Sequence, residues 1–390
     1  MSGYDPEKVS TFLAPNKHLL GKGVARQLGG EIKTLGGSKV FVVTDPGVVK
    51  AGLVPAIIEP LKSEGMKVGV YDKVRPEPAA GIVDEAARIA RSGRYDLVVG
   101  LGGGSSLDVA KGVAMMVTNT GSILDYVGLN MFPKRGIPKI LVPTTAGTGS
   151  EASWVCVVTD ERKNEKKSLY GFMLLPDVAM LDPVLTVSMP PSVTADTGFD
   201  ALVHAIESYV SVNRTPYTEI MAGEAIRLIS RNLPVAYAKG GDIKARYNML
   251  LAANLAGMAF TSGGLGATHG LAYPLGTQYH MSHGRSNAIM LPHVMRFNLT
   301  GNLEGYAGIA RMMGENIDGL SPYEASEKAV DAVMRLLGAV RISCRLSDYG
   351  VQKKKISLLT KEALQQSRFF VPNPKDITEE DIRGIYRDAY

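Results

Sequence analysis

The first half of the chain alternates short apolar runs with amphipathic stretches. The apolar runs each end in polar or glycine residues and occupy residues 39–45, 67–72, 95–100 and 139–143. Helical patterns lie between them, for example at residues 82–91 and 106–118. Because the runs are continuously apolar rather than alternating, they are typical of strands buried on both faces. The rhythm therefore predicts a parallel sheet with helices on both of its faces.

The pattern changes at Met189-Pro190-Pro191, beyond which it is helical almost throughout. We predict helices at residues 200–210, 218–229, 243–260, 288–297, 303–313, 322–337, 361–367 and 378–389. Thr378 is a good N-cap for the last of these, and Asp381 completes a capping box. The predicted fold class is an α/β N-terminal domain with a parallel, Rossmann-like sheet (residues 1–187) and an all-α C-terminal domain (residues 188–390).

Composition is ordinary for a soluble globular protein, with 45% hydrophobic and 21% charged residues in a chain of 390. A net charge of +5, spread thinly, is too weak to indicate a nucleic-acid partner. The N-terminal residues lack the apolar segment of a signal peptide, and no apolar run reaches membrane-spanning length. Only two cysteines, Cys156 and Cys344, are present, which excludes a disulfide scaffold. We expect a cytoplasmic protein with no membrane partner.

Four metal-ligating side chains are grouped in the second half. Asp200 and His204 are four residues apart in an apolar helical pattern, which places them on one face, one turn apart. His269 and His283 each precede a glycine. One carboxylate and three imidazoles are a plausible ligand set for a divalent transition metal with a position left open for substrate. A single Asp-x-x-x-His is common by chance, so the prediction of a metal site depends on the whole set.

The remaining histidines have other interpretations. His280 is three residues before His283, so it is either packed structurally or close enough to relay a proton. His293 follows a proline, and we expect it to bond to backbone at a helix start. His18 lies in the lead-in segment, away from the predicted site.

A glycine turn follows one predicted strand and opens a predicted helix. Its sequence is Gly102-Gly103-Gly104-Ser105, and it would let backbone N–H groups approach a pyrophosphate. A tight packing turn would look the same. Asp45, at the tip of an earlier predicted strand, could accept hydrogen bonds from a ribose and favour NAD over NADP, or it could cap a helix. Since the glycine turn follows this acid in the chain, the arrangement is not the usual dinucleotide fingerprint.

These motifs together resemble the iron-containing (group III) alcohol dehydrogenase family over nearly the whole chain. The matching segments are residues 102–108, 143–151, 175–183, 198–204, 269–293 and 373–386. The resemblance implies a dehydroquinate synthase-like fold, with an N-terminal dinucleotide domain, a helical metal domain and an active site in the cleft between them.

The resemblance also implies roles for individual residues. The ligands to Fe²⁺, or to Zn²⁺ in some relatives, would be Asp200, His204, His269 and His283. The pyrophosphate of NAD would be held by Gly102, Gly103, Gly104 and Ser105. Further residues lining the cofactor would be Asp108, Thr144, Thr145, Thr148 and Lys167. Candidate substrate-pocket residues are Trp154, Val155, Phe260, Leu265 and Phe370, with Phe260 at a position where relatives carry an aromatic.

One residue departs from the family pattern. Tyr273 stands where relatives carry a histidine that helps proton transfer. A phenol can donate a hydrogen bond, but its ordinary pKa of about 10 makes it a poor base at neutral pH. The proton path would run through Tyr273, through His280, or through the cofactor ribose and water.

The predicted function is a metal-dependent NAD(H) oxidoreductase. It would interconvert a small-molecule primary alcohol, diol or hydroxyacid and its aldehyde or ketone by hydride transfer, as a homodimer or larger homo-oligomer. One alternative is a metal-dependent lyase of the dehydroquinate synthase type, which should need several Lys or Arg residues near the histidines. The other is a non-catalytic, nucleotide-binding pseudoenzyme, which the tyrosine at position 273 leaves open.

Overall fold

The computed structural model describes Glu7, residues 9–163 and residues 165–390. Contacts divide the chain into two compact units. The first is an α/β unit, Leu13–Met189, and the second is a helical unit formed by Pro190–Tyr390 with the described residues before Leu13.

The α/β unit is built on a parallel sheet. Its strands are β1 Lys17–Leu20, β2 Lys39–Val43, β3 Lys67–Tyr71, β4 Leu97–Gly102, β5 Gly128–Leu129, β6 Lys139–Pro143, β7 Val155–Asp160, β8 Glu165–Tyr170 and β9 Val178–Leu181. Among the described residues, six of these strands pair in the order β1-β9-β6-β4-β2-β3, all parallel. A smaller sheet, β5-β8-β7, contains the antiparallel hairpin of β7 and β8. The predicted parallel α/β fold is confirmed.

Helices cover both faces of the six-stranded sheet. They are α1 Leu28–Thr34, α2 Pro46–Lys50, α3 Leu53–Ser63, α4 Ala80–Ser92 and α5 Gly104–Met116. Val40 and Val42 of β2 pack in one core with α1 and α3. Phe41 and Val43 pack in a second core with α4 and α5. Successive residues of a strand point to opposite faces, so this explains why the runs are apolar at every position.

The strand order brings three loops to one edge of the sheet. Strand β2 lies between β3 and β4, so the direction in which the sheet grows reverses there. Ligands of open α/β sheets bind at such a reversal, outside the carboxyl ends of the strands. Asp45 follows β2, Gly102 ends β4 and Thr144 follows β6. The Thr144 N–H donates to the carbonyl of Gly102 at 2.9 Å, so these loops are in direct contact.

The second unit is helical. Its helices are α6 Pro191–Val210, α7 Pro216–Ala238, α8 Ile243–Gly263, α9 Ala267–Tyr279, α10 His283–Asn298, α11 Leu303–Met312, α12 Pro322–Ala339, α13 Ile356–Leu364 and α14 Glu379–Asp388. The capping box at the start of α14 is confirmed, since the Asp381 N–H donates to Thr378 Oγ1 and the Thr378 N–H to Asp381. The predicted helix at residues 361–367 is wrong in its bounds, because α13 starts at Ile356.

Helix α9 lies where the sequence predicted no helix. It contains Gly270 and Pro274, both unfavourable inside a helix. Its apolar side is nonetheless buried, with Leu271 and Leu275 packed in the same core as Ile289 of α10. Tertiary burial outweighs the local preference here.

No single helix in the described part of the chain is long and apolar enough to cross a membrane. Helices α8 and α9 pass that test only as a pair, with a bend of 108° between them. Buried core helices of the same composition also pass it.

Candidate active site

Helix α6 brings a carboxylate and an imidazole together. Asp200 and His204 are one turn apart and both are buried. Asp200 Oδ1 lies 3.9 Å from His204 Nε2. The helical face predicted from their spacing is therefore an inward face, against the other helices of the unit.

Two further helices bring the remaining imidazoles to the same point. His269 lies in the first turn of α9, and its ring stacks on that of His204 with centroids 4.9 Å apart. His283 is the first residue of α10, and its Nε2 lies 3.6 Å from Asp200 Oδ1. One donor atom from each of the four residues lies within 4.8 Å of every other. The distances and the donor set fit a single Fe²⁺ or Zn²⁺ ion.

The glycines beside two of these histidines allow helices to approach closely. A Cβ atom at Gly284 would lie 2.2 Å from the carbonyl oxygen of Asp196 on α6. A Cβ atom at Gly270 would lie 2.7 Å from the ring of Phe370. Glycine at both positions is therefore needed for the packing around the four donors. From the sequence, these glycines indicated only that something could approach the histidines closely.

The surroundings of Asp200 favour the ionised form of its carboxyl group. Burial raises the pKa of its carboxyl group, but His204, His283 and His269, with a hydrogen bond from Asn287, outweigh burial and hold the pKa below its ordinary value. A buried carboxylate that stays charged is suited to retain a cation.

Two polar residues that the sequence analysis did not single out contact the donors. Glu207 Oε2 lies 2.6 Å from Nδ1 of His269, and both residues are buried. Asn287 Nδ2 donates to Asp200 Oδ1 at 2.8 Å and lies 3.2 Å from Nε2 of both His269 and His283. Glu207 is three residues after His204 on α6, and Asn287 is four after His283 on α10. Helical spacing from a predicted ligand is thus the signal that could have found both.

Aromatic rings line the donor cluster. The Phe260 ring lies 4.7 Å from that of His204, and the Phe369 ring 5.9 Å from that of His269. Tyr273 stands edge-on to His283 at 5.9 Å, and its hydroxyl lies 3.5 Å from Arg368 Nη2. Of these rings, Phe260 was predicted from the sequence and Phe369 was not.

The other predicted pocket and relay residues are more scattered. Leu265 lies between α8 and α9, beyond the positive-φ Gly264. Trp154 and Val155 belong to the α/β unit, where Trp154 stands edge-on to Tyr170 at 6.3 Å. His280 ends α9 in a left-handed conformation, φ 53°, with an exposed side chain. The predicted roles of these residues stay predictions.

His293 makes the backbone contact that was expected but in a different place. Its Nε2 lies 2.9 Å from the carbonyl oxygen of Cys344. The residue is in the middle of α10 rather than at a helix start, because α10 continues through Pro292.

The glycine turn of the α/β unit opens α5 without a side-chain cap. Gly103 is the N-cap residue and has no side chain, so no side-chain oxygen of its own caps the first N–H groups of α5. Gly102 has φ 151°, and a Cβ atom there would lie 2.7 Å from Ser106. A Cβ atom at Gly104 would lie 2.7 Å from Thr148, while one at Gly103 would lie 3.4 Å from Thr145. The two predicted loops therefore form one glycine- and threonine-lined cradle, which fits a pyrophosphate at a helix N-terminus.

Asp45 has the capping role that the sequence left open as one alternative. Its Oδ1 accepts from the N–H groups of Gly47 and Val48 at the start of α2. Its Oδ2 accepts from Ser106 Oγ at 2.8 Å, so the carboxylate lies beside the glycine turn. The cap and the predicted ribose contact are compatible, because a carboxylate has lone pairs for several donors.

Two residues predicted to line the cofactor are engaged within the protein. Asp108 accepts from Ser150 Oγ at 2.6 Å and from the Val157 N–H at 3.0 Å, and it pairs with the buried Lys111 at 3.0 Å. Lys167, on β8, pairs with Glu165 at 2.5 Å. Their contribution to a cofactor site stays a prediction.

Known proteins are similar to this chain in sequence and architecture over nearly its whole length. Residues 15–183 match the family described as iron-containing alcohol dehydrogenase, and residues 194–390 match the C-terminal part of the Fe-containing alcohol dehydrogenase family. The long-chain-alcohol dehydrogenase 1 of Geobacillus thermodenitrificans is 44% identical over 98% of this chain and 97% of its own.

Solved structures agree with the sequence matches. A 1,3-propanediol oxidoreductase superposes with a TM-score of 0.96 at 38% identity, covering 98% of this chain and 100% of that one. Sulfoacetaldehyde reductase from Bifidobacterium kashiwanohense, solved in complex with NAD⁺, superposes with a TM-score of 0.90 at 29% identity, covering 98% and 99%. The predicted fold class, family resemblance and alcohol dehydrogenase activity are confirmed. By sequence and by fold, this chain belongs to the iron-containing alcohol dehydrogenase family.

Proposed function

We propose that this chain is an NAD(H)-linked alcohol dehydrogenase that holds Fe²⁺, or alternatively Zn²⁺, in its helical unit. The proposed ligands are Asp200, His204, His269 and His283. The observation that carries the proposal is the convergence of these four donors, from three helices, within 4.8 Å of one another.

When bound, the metal would polarise the substrate oxygen while the nicotinamide exchanged a hydride with the substrate carbon. The chain's own residues prepare that chemistry. Asp200 supplies a buried negative charge, and His283, with 36% of its side chain exposed, marks the side from which a substrate oxygen would arrive. The rings of Phe260, Phe369 and Tyr273 lie around the histidines and would limit access of water.

The proposed site for NAD is the glycine- and threonine-lined cradle of the α/β unit. Gly102, Gly103, Gly104 and Ser105 would approach the pyrophosphate, with Thr144, Thr145 and Thr148 beside them. Asp45 lies next to this turn, and its carboxylate would repel the 2′-phosphate of NADP. A related reductase solved with NAD⁺ supports the choice of cofactor.

For the substrate we propose a primary alcohol, a diol or a hydroxyacid with the corresponding aldehyde or ketone. Named relatives act on long-chain alcohols and on 1,3-propanediol, which supports this range. Substrate contacts are proposed for Phe260, Leu265, Phe370, Trp154 and Val155, and proton transfer for Tyr273 or His280.

We also propose that the enzyme works in the cytoplasm as a homodimer or larger homo-oligomer. Both cysteines are free, which suits a reducing compartment. Light scattering of the purified protein would give the mass of the assembly, for comparison with 41.7 kDa for one chain.

An absorbance assay for the reduced nicotinamide tests the function. Purified protein reconstituted with Fe²⁺ or with Zn²⁺ would be offered short alcohols, diols and hydroxyacids with NAD or NADP. We expect turnover with NAD, a weaker response with NADP, and none after the metal is removed. Absence of turnover across the panel, despite stoichiometric metal, would instead favour a pseudoenzyme.

The glycine turn gives a prediction for cofactor binding alone. Replacing Gly104 with alanine places a Cβ atom against Thr148, so either the turn or Thr148 must shift, which changes the shape of the proposed pyrophosphate cradle. We expect KM for NAD to rise about tenfold, equivalent to about 1.4 kcal/mol, with metal content unchanged. The matched control is Gly81→Ala at the start of α4, where a Cβ atom meets nothing within 4 Å. Equal KM values in the two variants would contradict the assignment.

A further inference from the structure

Glu207 lies against the ring nitrogen of His269 that points away from the other donors. We infer that Glu207 is a positioning residue, which holds His269 in the tautomer with its proton on Nδ1 and thereby presents the lone pair of Nε2 to the metal. The inference rests on the metal site proposed above. It assigns a role to a residue that neither the ligand set nor the cofactor cradle includes.

The contact with Glu207 defines one side of the imidazole. Glu207 Oε2 lies 2.6 Å from His269 Nδ1, and Oε1 accepts the N–H of Thr268 at 2.6 Å. A carboxylate only accepts hydrogen bonds, so Nδ1 must carry the hydrogen. Because Glu207 and His269 are both buried, water does not compete readily for this contact.

Asn287 defines the other side of the same ring. Its terminal atom lies 2.8 Å from Asp200 Oδ1, so that atom must be the amide nitrogen, since an amide oxygen there would face a carboxylate oxygen. The same nitrogen lies 3.2 Å from Nε2 of both His269 and His283, and because an amide nitrogen donates but does not accept, a hydrogen on His269 Nε2 would have no acceptor there. The two sides of the ring independently select one tautomer, with Nε2 unprotonated and facing the donor cluster.

The surroundings of Glu207 hold it in place. Gly266 comes so close that a Cβ atom there would lie 3.1 Å from Glu207 Oε1. Asn373 accepts from the Ala267 N–H at the start of α9 and exchanges two hydrogen bonds of 2.8 Å with Asn298 at the end of α10. The cavity behind Glu207 is only about 10 Å³, room for about one water molecule. Asn373, part of the last family motif, thus ties together the ends of two ligand-bearing helices.

The predicted consequence is a loss of metal affinity when the acceptor is replaced. Glu207→Gln keeps the size of the side chain but places an NH₂ group against either His269 Nδ1 or the Thr268 N–H. His269 can relieve the first conflict by moving its proton to Nε2, which removes the lone pair that the metal needs. Changes of partner around a metal-ligating histidine typically cost about 10- to 100-fold in affinity.

Two measurements test the inference. The first is the affinity for Co²⁺ and Zn²⁺, by competition with a chromophoric chelator, in the wild-type protein, in Glu207→Gln and in the exposed-site control Glu327→Gln. We expect a weakening of about 10- to 100-fold in Glu207→Gln alone, with altered visible bands of bound Co²⁺. The second is ¹⁵N NMR of the histidine rings in metal-free protein at mildly alkaline pH, where long-range couplings report the tautomer. The wild-type protein has six histidines, and the spectrum of a His269→Gln variant identifies the signals of His269.

The outcomes separate this inference from the proposed function. A proton on Nε2 of His269 in the wild-type protein would overturn the inference without any variant at position 207, as would unchanged affinity and unchanged Co²⁺ bands in a folded Glu207→Gln protein. If Glu207→Gln fails to fold, the wild-type tautomer still decides. A wild-type protein that binds neither Co²⁺ nor Zn²⁺ would refute the proposed metal site. If the wild-type protein binds both metals and Glu207→Gln binds them equally well, only the positioning role of Glu207 would be refuted.

Discussion

Replacing His269 with alanine is expected to remove the bound metal and to reduce alcohol oxidation to background. The variant loses one of four donors that lie within 4.8 Å of one another. It also leaves Glu207 buried and charged without its imidazole partner. Removing the hydrogen-bond donor to a buried charged group typically costs about 1.5–3 kcal/mol, so the unfolding free energy should fall by a similar amount. Metal analysis, the nicotinamide assay and denaturant unfolding measure the three effects.

Two histidine variants on α10 are useful comparisons, one as a control and one as a second ligand. His293→Ala removes a histidine that bonds to the backbone of Cys344 instead of facing the donors, so metal and activity should be retained. His283→Ala should lose the metal with a smaller loss of stability, because its side chain is 36% exposed. Full activity in a metal-free His269→Ala protein would show that the four residues do not hold a catalytic metal.

Replacing Gly284 with alanine is expected to disrupt the same site without touching a donor atom. The new Cβ atom would lie 2.2 Å from the Asp196 carbonyl oxygen and 3.3 Å from the Cβ atom of Asp200. Helix α10 must then move away from α6, which separates His283 from Asp200. Overpacking of this kind costs about 1–3 kcal/mol, so we expect a loss of stability in that range together with weaker metal binding. Denaturant unfolding and a metal titration of the same preparation measure both.

The control for this substitution is expected to gain stability rather than lose it. Gly384 lies within α14 of the same unit, and a Cβ atom there meets nothing within 4 Å. Gly384→Ala should therefore stabilise the protein by up to about 1 kcal/mol through helix propensity. If Gly284→Ala were as stable as the wild-type protein and bound metal equally well, the close approach of α6 and α10 would not be needed for the site.

The fold of the α/β unit follows directly from the hydrophobic pattern. Residues such as Val40, Phe41 and Val42 are apolar in succession because the sheet buries them alternately in two cores. The strand order does not follow from the pattern, since every strand carries the same signal. The contact of Asp45 with the glycine turn depends on that order, because the carboxylate both caps α2 and accepts from Ser106 of the turn.

The donor cluster was only partly predictable. Asp200 and His204 share a helix, so their spacing alone placed them together. His269 lies on α9, which the sequence did not predict because Gly270 and Pro274 argue locally against a helix, and His283 begins α10 ahead of the start that the sequence predicted for that helix. Packing of α9 against α10 decides its conformation, and no local pattern reports that packing.

Glu207 shows a different limit of sequence interpretation. A glutamate on a helix usually faces solvent, and its spacing of three residues from His204 is the one local sign that this glutamate faces the site. Its importance arises from a contact with His269, 62 residues further along the chain. Lys167 was assigned from the family resemblance, whereas its pairing with Glu165 is a local contact between two residues of the same strand, β8.

The most direct test of the metal site is anomalous diffraction from a crystal of the purified protein, recorded at the absorption edges of iron and zinc. We expect one strong peak about 2.0–2.2 Å from Asp200 Oδ and from the Nε2 atoms of His269 and His283, with His204 as the fourth ligand. A fully active crystal form with no peak among these four residues, or with its only peak elsewhere, would contradict it.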